Sequence, residues 1–157
     1  MRRILPGVFV TMLLAAPAAA QGLEGYAAGA FGGWSHRFNS GSLFGGTVGV
    51  DIGVAPAVAI EIDGALVGGA SGNLLLALSP GAKVRFRRWV PNTVAPFVVG
   101  GYSYLHFFEG VSHAFNIGGG VDYPLSESRA VRVEVRDMIR RDFPSHYFTV
   151  RVGVTFR

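Results

Sequence analysis

Alternation with a period of two constrains this chain more than any other feature. From Arg129 onward, Arg129, Val131, Val133 and Val135 share one parity, and Arg132, Glu134 and Arg136 share the other. A break follows at Arg140-Arg141-Asp142-Phe143-Pro144-Ser145. Then Phe148, Val150, Val152, Val154 and Phe156 alternate with Thr149, Arg151, Gly153 and Thr155. Successive side chains of a β-strand point to opposite faces, so these are two strands with one greasy and one charged face. A soluble barrel would turn the charged face to water. A barrel in an outer membrane would turn the apolar face to lipid and enclose the charges.

The pattern extends upstream. Tyr26, Ala28, Ala30, Gly32 and Trp34 share a parity; Phe44, Val48, Val50 and Ile52 alternate with Thr47, Gly49 and Asp51. Val58, Ile60 and Ile62 alternate with Ala59, Glu61 and Asp63, and Leu74, Leu76, Leu78, Val84 and Phe86 oppose Lys83, Arg85 and Arg87. A fifth strand, about Val94 to Phe107, is aromatic on both faces and its sides are not assignable. In the sixth, His113, Phe115, Ile117, Val121 and Tyr123 alternate with Ala114, Asn116, Gly118, Gly120 and Asp122. Turn residues such as Ala55-Pro56, Pro91-Asn92 and Pro124-Leu125-Ser126 separate these segments. No stretch sustains helical spacing. The fold expected is all-β: an eight-stranded antiparallel up-and-down transmembrane β-barrel, a size whose interior side chains can fill.

The first twenty residues stand apart. Arg2-Arg3, an apolar run from Ile4 to Leu14 and the small residues Ala15-Ala16-Pro17-Ala18-Ala19-Ala20 read as a cleaved signal peptide, leaving 21–157 as the barrel domain. Without Arg2 and Arg3, the formal net charge is two below the +4 of the whole chain. The remaining charges are strewn along alternating strands rather than clustered, which argues against nucleic acid. The chain has no cysteine, so thiolate metal sites are excluded and no disulfide supports the fold.

Two spacings favour the bilayer. Tyr26 and Trp34, Phe115 and Tyr123, and Phe148 and Phe156 each lie eight residues apart on one parity. At ~3.3 Å per residue and ~40° tilt, that is about 20 Å of height, near the ~25 Å apolar band between aromatic girdles. These six residues are the expected girdle. The opposite parity holds Asp51, Glu61, Asp63, Lys83, Arg85, Arg87, Asp122, Arg132, Glu134, Arg136 and Arg151, five acids against six bases. A paired network plugging the lumen is expected, with Glu61, Asp63, Arg85, Arg132, Glu134, Arg136 and Arg151 at its centre. Glu134 and Arg151 should meet across the last hairpin.

Three stretches carry a resemblance: 118–126 (GGGVDYPLS), 131–137 (VRVEVRD) and 150–156 (VRVGVTF). They resemble the small eight-stranded outer-membrane barrels of the OmpA/OmpX and opacity-protein type, the porin-family barrels. The resemblance covers the last forty residues well and the rest as a pattern. It implies an outer-membrane location with both termini in the periplasm and contact with membrane lipid. It also implies recognition of the C-terminal strand, at Phe156, by the barrel-assembly machinery; here Arg157 follows that aromatic. It names no extracellular partner.

Chemistry outside the lumen is sparse in the sequence. His36, His106, His113 and His146 fall at loop ends without metal-ligand spacing, so neither metal nor cofactor is expected. Ser112-His113 and Ser145-His146 cannot form a nucleophile–base pair by themselves, since neighbours on a strand face opposite ways. Gly118-Gly119-Gly120 precedes no helix and is no phosphate loop. Arg140-Arg141 reads as a solvated loop or a contact to lipid phosphate. The expectation is a non-enzymatic envelope-structural or surface-interaction barrel. A lipid A-modifying enzyme is the first alternative and a secreted lipocalin-like ligand carrier the second.

Overall fold

The structure is a computed structural model that describes residues 22–36, 39–69, 74–107, 110–141 and 145–157. The expected signal peptide lies outside the described residues, as do 37–38, 70–73, 108–109 and 142–144 and the side chains of His36 and Asn39. Eight strands follow one another: β1 (Leu23–His36), β2 (Asn39–Ala55), β3 (Val58–Gly69), β4 (Leu74–Arg85), β5 (Ala95–Phe107), β6 (Gly110–Pro124), β7 (Arg129–Arg140) and β8 (Ser145–Phe156). Each pairs antiparallel with the next and β8 closes on β1, so no strand edge is left open. The ladder shifts register between Gly53 and Ala55 of β2, and it is interrupted between β4 and β5. There pairing lapses between Leu78↔Tyr104 and Gly81↔Gly101, where Pro80 has no N–H to give.

Side-chain parity sorts cleanly. Val133, Val152 and Ile117 are exposed on the outside, while Glu134, Arg151 and Asp63 are at most 1 % exposed inside. The outside is a nearly unbroken apolar surface of Val, Ile, Leu and Phe. The fifth strand resolves as well: Phe97, Val99, Ser103 and Leu105 point in, and Val98 and Tyr104 point out.

Two expectations are corrected. Tyr26 is 3 % exposed and Trp34 packs against the buried apolar cluster, so the first strand is inverted: its small residues and Phe31, 55 % exposed, form the outer face. Glu24 explains the inversion. It shares Tyr26's parity, and turning that face outward would put a carboxylate among hydrocarbon side chains. The other four girdle residues, Phe115, Tyr123, Phe148 and Phe156, are on the outer face. Arg87 is also displaced: β4 ends at Arg85, and Arg87 is exposed in the connection beyond it.

Candidate functional site

The lumen is built in layers, and the ion-pair network among its described residues lies in the half nearest the chain termini. At that rim Arg85 donates to both carboxylate oxygens of Glu24, at 3.2 and 2.6 Å, and Arg157 Nε reaches Glu24 Oε1 at 2.8 Å. The guanidinium of Arg157 lies 4.9 Å from the Trp89 ring centre, and Trp89 Nε1 donates to the Ser126 carbonyl. The connection after β4 is thus tied across the rim to the turn before β7.

The next layer is a four-membered ring. Lys83 Nζ donates to Asp51 at 2.8 Å and to Asp122 at 3.3 Å; Arg132 donates to Asp122 at 2.9 Å and to Asp51 at 3.0 Å. Aromatic faces complete the solvation that water would supply. Lys83 sits 4.1 Å from the Phe97 ring centre, and Arg132 sits 4.1 Å from that of Tyr26. This is why these two aromatics face inward.

Above it, Arg136 holds Glu134 through Nε at 2.7 Å, binds Glu61 through Nη2, and approaches Asp63 at 3.5 Å. Arg151 donates to Asp63 at 3.1 Å and lies 3.5 Å from Glu134, its registered neighbour across β7 and β8. Tyr26 and Thr47 also donate to Asp63, at 2.6 and 2.5 Å. With Arg157 at the rim, six carboxylates meet six cations along the lumen. Every one of the seven lumen residues expected from sequence is engaged in this network. Glu24 was missed, although its parity with Tyr26 carried the signal.

Sequence reasoning also missed the other half. Ser79, Ser103 and Asn116 form a hydrogen-bonded layer, with Ser79 and Ser103 hydroxyls 2.6 Å apart and Asn116 donating to Ser103 at 2.8 Å. Beyond it toward the loops lies an apolar cluster: Leu43, Val67, Leu75, Leu105, Met138 and Tyr147 pack together, with Trp34 and Phe107 against them, and Ser112 and Ser145 are buried at the same end. A cavity of about 510 Å³ opens above this cluster, and Arg140 lines it.

On the outer face near the loops, Tyr102 and Tyr104 pack around His113, with ring centres 5.7 and 5.3 Å from the imidazole. His146 Nδ1 pairs with Asp137 Oδ2 at 2.8 Å. Ser112 and Ser145 are buried inside, and their neighbours His113 and His146 lie on the outside. Arg140 turns inward over the mouth and donates to Ser112 at 2.9 Å, whereas Arg141 is exposed. Among the described residues, no three His, Asp or Glu side chains converge to hold a metal.

No protein-family model matches the chain, and no curated protein matches it. Solved structures do. The chain resembles Neisserial surface protein A at 14% identity and a TM-score of 0.76, over 87% of this chain and 97% of that one. It resembles the outer membrane protein OprG from Pseudomonas aeruginosa at 12% identity and a TM-score of 0.63, over 87% and 95%. The outer membrane enzyme PagL matches at 13% identity and a TM-score of 0.52, over 86% and 99%. Closed meander, apolar exterior and ionic interior together give this chain the fold of the small eight-stranded outer-membrane β-barrels.

Proposed function

We propose that this protein is an integral outer-membrane barrel that does not conduct and that works through its ends, as an envelope-structural or surface-interacting element. Its termini lie in the periplasm, it is exported by a cleaved signal peptide, and its C-terminal strand is read by the barrel-assembly machinery. Lipid is its surrounding partner. The observation that carries this reading is the ionic network: from Glu24 to Arg136, paired side chains stand in successive layers along the terminal half of the lumen, and each cation there has at least one carboxylate partner. An ion crossing this stretch must break several buried pairs at once, at roughly 3–5 kcal/mol each. Reconstitution in planar bilayers tests it. No steady conductance is expected from the folded barrel, identified by its altered gel mobility when unboiled; ohmic single-channel steps of fixed size would overturn it.

A second reading, hydrolysis of a membrane lipid, draws support from one pair. Asp137 holds His146 through Nδ1 at 2.8 Å, the relation an acid bears to a catalytic base, and Ser35 stands opposite His146 across β1 and β8. Ser35 makes no hydrogen bond to His146 among the described residues, so the non-catalytic reading is preferred. Mass spectra of lipid A from cells carrying wild-type protein or His146→Ala decide between them: unchanged spectra are expected, and an acyl chain restored in the variant favours the enzyme.

A further inference from the structure

The end of the barrel that holds Arg157 is strongly basic. Five arginines stand there, Arg85, Arg87, Arg88, Arg129 and Arg157, against two glutamates, Glu24 and Glu127. Glu24 already takes both Arg85 and Arg157. Arg87, Arg88 and Arg129 are exposed, and their side chains make no hydrogen bond or ion pair among the described residues.

Local structure gathers these three. Residues 86–94, the longest connection at this end, carry Arg87 and Arg88. Trp89 fixes that segment: its ring centre lies 5.7 Å from the Arg85 guanidinium and 4.9 Å from that of Arg157, and its Nε1 donates to the Ser126 carbonyl. The Asn92 N–H donates to the Pro124 carbonyl. The connection is thereby set against the β6–β7 turn, which leads into Arg129. Apolar side chains accompany the cations. Phe86, Val90 and Val94 of the connection and Leu125 of the turn are exposed, and Arg129 is registered with the exposed Phe156. Guanidiniums beside open Phe, Val and Leu suit the boundary where hydrocarbon meets headgroups: the stems lie along apolar surface and the charged heads reach for phosphate.

We infer that the β4–β5 connection and the β6–β7 turn form a binding surface for anionic phospholipid, its headgroup phosphates held by Arg87, Arg88 and Arg129. A zwitterionic headgroup also carries a phosphate, but its own ammonium group cancels the charge that attracts a guanidinium. An anionic headgroup keeps that charge, and each arginine at such a surface strengthens attachment about fivefold. The exposed apolar neighbours favour lipid over a soluble anionic polymer, which would leave Phe86, Val90 and Leu125 in water. This inference rests on the outer-membrane reading above and adds to it the charge of the lipid and the place where it is held.

Electron spin resonance of spin-labelled lipids tests it. The full barrel is folded into phosphatidylcholine vesicles, checked by unboiled gel mobility, and given a trace of labelled phosphatidylglycerol or labelled phosphatidylcholine. The motionally restricted fraction reports the lipid against the protein. A preference for phosphatidylglycerol of about twofold is expected, averaged over all the lipids around the barrel, because the site takes only a few of them. The preference should vanish in 1 M salt, where screening reaches ~3 Å. It should also vanish in the triple variant Arg87→Gln, Arg88→Gln, Arg129→Gln. Arg141→Gln, at the opposite end, should leave it intact; loss of the preference in that variant instead would overturn the inference. Equal restriction of the two labelled lipids would overturn it as well, while leaving the barrel in its bilayer. Binding of the detergent-solubilised barrel to isolated peptidoglycan, lost in the triple variant, would in that case give the arginines a polymer partner. If neither label were restricted, no lipid would surround the barrel, and the outer-membrane reading would fall with the inference.

Discussion

Arg136 shows what a single side chain does in this lumen. It meets Glu134, Glu61 and Asp63 at once, and all four groups are shut away from solvent. Removing a cation from such a cluster leaves carboxylates with neither water nor partner, so Arg136→Met should cost about 3–5 kcal/mol. Urea-dependent unfolding in lipid vesicles, followed by gel mobility, measures the cost. Adding Glu61→Gln to Arg136→Met should recover part of the loss, since one orphaned charge is gone; full additivity of the two changes would show that they are not coupled. At this scale the sequence was readable where the charges of a strand share a parity, as Arg132, Glu134 and Arg136 do, because ionised side chains near the midplane have one admissible face. Tyr26 was misread because an aromatic suits either environment. Only its neighbour Glu24 and the cation it covers, Arg132, fix its side.

Strand by strand, legibility depended on contrast between the two parities. In β7 and β8, valines against Arg, Glu and Thr gave the register outright, including Glu134 opposite Arg151. In β4 the run Leu74-Leu75-Leu76-Ala77-Leu78 is apolar on both parities, so nothing in it announces that Leu75 and Ala77 face the lumen. The apolar half of the interior was invisible for that reason. Close approach of strands leaves a clearer trace. A Cβ on the inward-facing Gly153 would collide with the Ala27 carbonyl and the Ala28 backbone of β1, whereas one on the outward Gly29 would meet nothing nearer than 3.9 Å. Gly153→Ala should therefore cost about 1–3 kcal/mol by forcing β8 from β1 at the closure of the barrel, and Gly29→Ala should cost nothing measurable. The folded fraction on an unboiled gel compares the two, and equal yields would sink the claim that closure is tight there.

For the molecule as a whole, the decisive property is that its polarity runs inside out. Val152 is 46 % exposed and lies midway along β8 between Phe148 and Phe156, both on the outer face. Were the barrel surrounded by water, a lysine at such an open position would change stability by less than about 0.5 kcal/mol. Surrounded by hydrocarbon, the same lysine near the midplane costs about 2–4 kcal/mol, and one near the interface about 0–1. Val111, 62 % exposed at the loop-end start of β6, supplies the interfacial comparison. Val152→Lys should thus lower the folded fraction in vesicles sharply under mild urea, and Val111→Lys should barely alter it. A depth-dependent penalty has no source in a soluble ligand carrier. If both lysines were tolerated alike, the apolar exterior would need a protein partner rather than a bilayer to cover it.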